Sequence, residues 1–222
     1  MGVEYYKSLK NSDFNADENG GDIDTDSFID DGVAHSFISR VRPKLVENGG
    51  DRYRKFYIKA VSSIIDIGVS ISTPSICATE EVLFFKAQSN DELESDIDKD
   101  NIRFYGGFEI TGIDGKKITA DRDVSLFIKV DDFVTFFYRG SKEKIYTAKV
   151  AEVDVDEVTF SSLGSKDIST GYFCGSTIEI NSMNTDDNHG FWIKQTIDEW
   201  TEPMEEPLDS FCVTTHYDEQ DE

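Results

Sequence analysis

Two short runs near the start of the chain place carboxylates at alternate positions, as a calcium-binding loop does. The runs are Asp13-Phe14-Asn15-Ala16-Asp17 and Asp22-Ile23-Asp24-Thr25-Asp26. A calcium loop of the helix-loop-helix type has Gly at its sixth position and a bidentate Glu at its twelfth. Here the sixth positions are Glu18 and Ser27, and the twelfth are Asp24 and Val33. The mismatch favours a solvated acidic arm, and no metal ligand is predicted.

Other residue types that carry chemistry are dispersed. His35, His189 and His216 are far apart, so no pair has metal-site spacing. The chain has no nucleophile elbow, Walker loop or dinucleotide fingerprint. Its many Ser residues would permit a hydrolase, yet no feature selects the residues of one. The sequence therefore predicts a protein that is not an enzyme and has no cofactor.

The cysteines and the N-terminus bear on the compartment. Cys77, Cys174 and Cys212 are odd in number and form no CxxC pair, which favours reduced thiols over a disulfide framework. The first residues lack the basic start and apolar core of a signal peptide, and no apolar run approaches the roughly 18 residues of a membrane span. We expect no membrane partner.

All of the excess negative charge lies in three blocks of sequence. Residues 11–31 hold eight acids and no Lys or Arg, residues 91–100 hold six acids and Lys99, and residues 195–222 hold ten acids and no Lys or Arg. They account for the whole formal charge of −23, so the rest of the chain is neutral. Acidic blocks repel polyanions, which argues against direct nucleic-acid binding.

Short apolar or alternating runs between turn signals predict an all-β fold. The 12% aromatic content, with 16 Phe and 9 Tyr, suits half-buried pleated sheets. The predicted strands are His35–Val41, Tyr53–Val61, Ile65–Ser72, Val82–Lys86, Ile102–Ile110, Val124–Val130, Phe133–Arg139, Ile145–Val153, Val158–Ser161, Tyr172–Ile180, Phe191–Ile197 and Phe211–Thr215.

The strand that follows Asn48-Gly49-Gly50 has the clearest alternation. Phe56, Ile58 and Ala60 should face the core, while Lys55, Tyr57 and Lys59 should face outward and could pair with an acidic block. Late in the chain, Gly190-Phe191-Trp192-Ile193-Lys194 should place Trp192 on an outer face. Outward aromatic residues are enriched at interfaces, so Tyr57, Trp192 and Trp200 are the interface candidates.

The spacing of the strands predicts the domain organisation. Strands come every 8 to 12 residues in the middle of the chain, which is typical of a small barrel. We therefore predict a β-sandwich with an inserted small β-barrel-like module. Its parts are an acidic N-terminal arm (1–32), an outer sandwich (33–89 plus 164–216), the inserted module (90–163) and an acidic tail (217–222).

Three segments together resemble a family of tailed-bacteriophage virion structural proteins. They are Tyr6-Lys7-Ser8 followed by Gly20-Gly21, Phe37–Val41 leading into Gly50–Lys59, and Gly190–Ile197. The resemblance covers residues 5–60 and 188–215 and not the predicted module. It departs from the family pattern at Lys59-Ala60 and Lys194-Gln195.

The resemblance implies a non-enzymatic virion component, assembled in the host cytoplasm. The leading expectation is a ring-forming neck, collar or tail-region protein that contacts further copies of itself and other virion proteins. A capsid decoration protein is the nearest alternative. A carbohydrate- or receptor-binding sandwich is another, since outward Trp and Tyr side chains often bind sugars.

Overall fold

The computed structural model describes residues 2–12, 15–30, 47–73, 80–138, 143–164, 168–199 and 212–219. The fold is all-β, as predicted, and two antiparallel sheets pack against each other. The strands are β1 (Val3–Asn11), β2 (Asn19–Phe28), β3 (Gly50–Ala60), β4 (Ile64–Thr73), β5 (Glu80–Lys86), β6 (Gly107–Asp114), β7 (Lys117–Ala120), β8 (Phe133–Phe137), β9 (Lys144–Val153), β10 (Glu157–Phe160), β11 (Phe173–Met183), β12 (Asn188–Ile197) and β13 (Cys212–Glu219).

The two sheets differ in size and shape. The first has five strands in the order β2-β1-β3-β12-β5. The second has eight in the order β13-β4-β11-β6-β7-β10-β9-β8, and β11 also pairs with β8. This last pairing joins β11, β6, β7, β10, β9 and β8 into a closed ring of hydrogen-bonded neighbours.

The long strand β11 connects the ring to the sandwich. Its first residues, Phe173–Thr177, pair with β8, and its later residues, Ile178–Met183, pair with β4. The ring therefore needs a strand from outside residues 90–163. That those residues form an inserted module of their own stays a prediction.

Three apolar clusters follow from this arrangement. The largest lies between the two sheets and includes Phe56, Ile58, Val69, Ile178 and Phe191. A second fills the ring, and a third lies on the opposite face of the five-stranded sheet. The core-facing positions predicted for β3 are confirmed, because Phe56, Ile58 and Ala60 all pack in the first cluster, whereas Tyr53 of the same strand packs in the third.

The predicted strand Val124–Val130 is wrong. These residues form turns, and the Ile128 N–H donates to the Val124 carbonyl at 2.9 Å. Val124, Phe127 and Ile128 are buried in the ring, while Leu126 and Val130 are exposed. Their spacing of three and four residues suits one helical turn rather than the alternation of a strand.

The two chain ends also differ from expectation. Residues predicted as an acidic arm contribute β1 and β2 to the five-stranded sheet, and β2 is one of its two edge strands. The strand predicted at Phe211–Thr215 is found as β13, which continues to Glu219, so Tyr217 belongs to a strand and not to a tail. The predicted strand His35–Val41 lies outside the described residues.

Candidate functional site

Two of the three interface candidates lie side by side on the outer face of the five-stranded sheet. β3 and β12 pair so that Gly190 is opposite Tyr57 and Trp192 is opposite Lys55. The prediction that these side chains are exposed is wrong, because Tyr57, Trp192 and Lys55 are each 0% exposed. Trp200 lies outside the described residues.

The residues are buried because an acidic segment crosses this face of the sheet. Residues 88–97, here called the covering segment, include a short 3-10 turn at Glu94–Asp96. The Gly21 N–H donates to the Glu92 carbonyl at 2.9 Å, and Gly20 forms a β-bridge with Leu93. Trp192 Nε1 donates to Glu92 Oε2 at 2.7 Å. The covering segment is thus joined both to β2 and to β12.

Lys55 is the cation under the covering segment. Its Nζ donates to the backbone carbonyls of Ser89, Asn90 and Glu92 at 3.1, 2.7 and 3.0 Å. The ammonium also lies 5.3 Å from the Tyr57 ring centroid and 5.6 Å from that of Trp192. Burial lowers the pKa of Lys55 to about 8, and nearby carboxylates, chiefly that of Glu92, oppose this effect.

Tyr57 bridges β2 and the covering segment. Its hydroxyl lies within hydrogen-bond distance of the Gly21 carbonyl, at 2.5 Å, and of the Asn90 carbonyl. Burial, followed by the negative charge of Asp22, raises the pKa of the Tyr57 hydroxyl. The group is therefore a neutral donor that ties two segments distant in sequence to β3.

A second polar group lies further along the same face. Asn19, which is 0% exposed, donates through Nδ2 to the Tyr53 carbonyl at 3.0 Å and to Glu94 Oε2 at 2.7 Å. Arg54 donates to the carbonyls of Ser12 and Tyr53. Burial raises the pKa of Tyr53 to about 12. These contacts connect the start of β2 to β3 and to the turn at Glu94–Asp96.

The arrangement brings together acidic blocks that are separate in the sequence. Asp22 on β2 and Asp91, Glu92 and Asp96 of the covering segment all interact with the charge of Lys55. Asp22, Asp91 and Asp96 remain exposed. One buried ammonium therefore offsets part of the repulsion between the two blocks.

The polar groups of this site form hydrogen bonds with one another and with the backbone of the same chain. The donors of Lys55, Tyr57 and Trp192 are directed at backbone or carboxylate oxygens of the same chain. Within the described ranges no group of three or more His, Cys, Asp or Glu side chains could hold a metal ion. His189 lies on β12 and His216 on β13, in different sheets, and His35 is not among the described residues.

Sequence reasoning missed Lys55 and Glu92 as parts of this site. The alternation of β3 placed Lys55 on the correct face, and its pairing with an acidic block was anticipated. The partners are mainly carbonyl groups, however, which every residue carries and no sequence pattern distinguishes.

Comparison with protein-family models, curated proteins and solved structures finds no match to this chain. No helix in the described part of the molecule is long and apolar enough to cross a bilayer. The class of the protein therefore follows from its structure alone. It is an all-β protein in which two antiparallel sheets pack as in a β-sandwich.

Proposed function

We propose that the protein is a non-enzymatic structural component of a tailed-phage virion, and that it forms a ring in the neck, collar or tail region. The proposal that the protein is not an enzyme is supported by the polar cluster around Lys55, whose donors all have partners within the chain. Its three donor bonds end on backbone carbonyls of the covering segment. Such a cluster holds strands together and offers no open position to a substrate.

The virion assignment itself is supported by the three-segment resemblance. The segments Gly50–Lys59 and Gly190–Ile197 form β3 and β12, which are paired along their whole length in the centre of the five-stranded sheet. The resemblance thus concerns strands that are adjacent in the fold. Homo-oligomeric assembly and contacts with other virion proteins belong to the same proposal.

Mass spectrometry and electron microscopy of particles from the phage that encodes the chain would test this proposal. We expect the protein in purified particles, with density for its two-sheet body in a ring at the neck or tail. Absence from washed particles would contradict the proposal. Density distributed over the capsid faces would instead identify the alternative, a capsid decoration protein.

The carbohydrate- or receptor-binding alternative is weakened. It relied on outward Trp192 and Trp200, but Trp192 is fully buried beneath the covering segment. A sugar-binding platform needs an accessible aromatic face, which Trp192 does not offer.

A further inference from the structure

His216 is a half-buried imidazole on β13, at the edge of the eight-stranded sheet. β13 pairs with β4, and β4 pairs with β11, so that His216, Gly68 and Glu179 form one row across three strands. A Cβ built on Gly68 would lie 2.1 Å from His216 Nε2, so the ring lies directly against the Gly68 backbone. The missing side chain of Gly68 is therefore what leaves room for the imidazole.

This position suits a neutral imidazole and not a charged one. His216 Nδ1 is buried and has no hydrogen-bond partner within the described part of the chain. An imidazolium carries a donor hydrogen on both ring nitrogens. Protonation would therefore leave a buried N–H without an acceptor, which costs free energy in the folded state.

Charged side chains on four strands act on this row. Lys144 at the start of β9 disfavours the charged form of His216, whereas the exposed Asp218 favours it. Burial, helped by Lys144, lowers the pKa of His216 to about 4 from its ordinary value of 6.5. At Glu179, burial, followed by the charge of Asp66 on β4, raises the pKa of the carboxyl.

The two shifts act in opposite directions as the pH falls. Because the paired strand binds the His216 proton more weakly than a released strand does, acid favours release. The folded chain binds the Glu179 proton more tightly than the unfolded chain does, so acid favours the paired state there. His216 is therefore the group of this row through which acid weakens the pairing of β13.

β13 is held less extensively than the inner strands. Its one strand neighbour among the described residues is β4, and irregularities of register follow Cys212 and His216. It contacts the other sheet through side chains such as that of Tyr217, whose hydroxyl accepts a hydrogen bond from the Gly2 N–H at 2.7 Å. Edge elements with few partners open at a lower free energy than the body of a protein.

We propose that β13 is an acid-released edge strand, which protonation of His216 detaches from β4 while the two-sheet body stays folded. Once the strand leaves, water solvates both ring nitrogens and Lys144 no longer faces the imidazolium. Release uncovers the edge of β4 and removes Val213 and Tyr217 from the core between the sheets. The change belongs to this chain alone and does not require the proposed virion role.

Amide hydrogen exchange of the full chain, corrected for the intrinsic pH dependence of exchange, tests the release. With a pKa of 6.5 in the released strand and about 4 in the paired one, the opening equilibrium of 212–219 should rise about 30-fold from pH 7.5 to pH 5. Inner strands such as β3 and β12 should keep their protection. Equal acceleration in β13 and in these strands would show global unfolding and overturn the proposal.

The cysteines give an independent check that the body stays folded. Cys212 lies on β13, and Cys174 is buried in the apolar cluster that fills the ring. In a chain with Cys77→Ser, a dithiodipyridine reagent, which reacts with thiols in acid, should label Cys212 faster as β13 is released. Cys174 should stay unlabelled. Labelling of both thiols at the same rate would contradict a local release.

Three variants assign the release to His216. His216→Phe keeps a ring over Gly68 but has no titrating group, so exchange in β13 should no longer accelerate in acid. Lys144→Met should reduce the acceleration, because the imidazolium loses a repelling charge, and Asp218→Asn should increase it, because an attracting charge is lost. Unchanged acceleration in His216→Phe would overturn the proposal. If that variant fails to fold, equal responses of the other two would overturn it.

Discussion

Lys55 illustrates how a charged side chain can become the centre of a buried cluster. Its ammonium lies over the Tyr57 and Trp192 rings and donates to three backbone carbonyls. A charged donor forms stronger hydrogen bonds than a neutral one, which offsets the cost of removing the ammonium from water. The covering segment has few apolar residues of its own, so we infer that Lys55 supplies much of its attachment.

Replacing Lys55 with Met should release the covering segment. The variant keeps the apolar stem but leaves three carbonyls without their donor, which should lower the free energy of unfolding by about 2–3 kcal/mol. Amide exchange in residues 88–97 should become faster, as measured by mass spectrometry. Lys59→Met is the matched control, because Lys59 on the same strand forms an ion pair with the exposed Asp186 and does not contact the covering segment through any hydrogen bond described above. If both variants behaved alike, Lys55 would not hold the segment.

Gly20 and Gly21 offer a matched test of how closely β2 approaches Trp192. Both have positive φ, of 102° and 76°, so Ala costs about 1 kcal/mol of backbone strain at either position. A Cβ on Gly20 would lie 2.6 Å from the Trp192 ring, whereas on Gly21 its nearest neighbour would be 3.8 Å away. Chemical denaturation should therefore show that Gly20→Ala is about 2 kcal/mol less stable than Gly21→Ala.

His216 should make the fold sensitive to acid. Burial, helped by the Lys144 ammonium, lowers the pKa of His216 to about 4, while Asp218 acts in the opposite direction. Between about pH 6.5 and 4 the unfolded chain binds this proton and the folded chain does not, so stability falls as pH falls through this window. The loss should approach about 3 kcal/mol.

The variant His216→Phe isolates this effect. It keeps a ring over Gly68, where a Cβ would lie 2.1 Å from His216 Nε2, but has no titrating group. Denaturation at pH 7 and pH 4.5 should show a smaller difference for the variant than for the parent. Carboxylates and His189 titrate in both proteins, so an unchanged difference would assign the acid sensitivity to them.

At the scale of the strands, the sequence was informative wherever alternation was strong. The predicted positions of β3, β4, β5, β8, β9, β10, β11 and β12 are confirmed to within a few residues. β2 and β7 were missed because an acidic, Gly-containing run and a run of four residues give little alternation, and β1 was missed because it was included in the predicted acidic arm. β2 forms a strand because β1 supplies hydrogen-bond partners for its backbone. This pairing between strands outweighs the low intrinsic strand propensity of the β2 residues.

Removal of β13 should expose the edge of β4. Residues 217–222 were predicted as an acidic tail, but the Tyr217 side chain packs against the core between the sheets and its hydroxyl accepts a hydrogen bond from the Gly2 N–H. Deletion of 220–222 should leave the melting temperature unchanged, deletion of 217–222 should lower it, and deletion of 212–222 should cause aggregation through the open edge. Thermal melts and light scattering of the three proteins check this order, and equal behaviour would show that β13 contributes nothing.

At the scale of the molecule, the sequence predicted well how much charge each segment carries. It did not predict which charged segments lie close together in the fold. The counts correctly separated acidic blocks from a neutral remainder. They could not show that Asp22 and Asp91 would converge on Lys55, because that proximity is set by pairing between distant strands. The same limitation led to the expectation that Tyr57 and Trp192 are exposed, since a covering segment cannot be inferred from the strand that it covers.

The carboxylates of the edge strand β2 should lower the melting temperature of the protein and prevent its self-association. We expect the repulsion of Asp22, Asp24 and Asp26 for one another and for the acidic covering segment to outweigh the attraction of Asp22 to Lys55, yet charges on an edge strand also prevent pairing with other molecules. The triple variant to Asn keeps the side-chain oxygens that accept the Ile23 and Asp26 N–H groups. At low ionic strength it should melt at a higher temperature than the parent, and at high concentration it should self-associate.

A second triple variant with the same charge change separates position from net charge. Asp114 at the end of β6 and Asp154 and Asp156 before β10 are exposed, and the first two favour the charged form of Lys117. Their replacement with Asn should not raise the melting temperature and should not cause association. Melting curves over a range of salt and sedimentation at several concentrations measure both effects. Equal results for the two triple variants would mean that net charge alone, and not the edge position of β2, keeps the molecules apart.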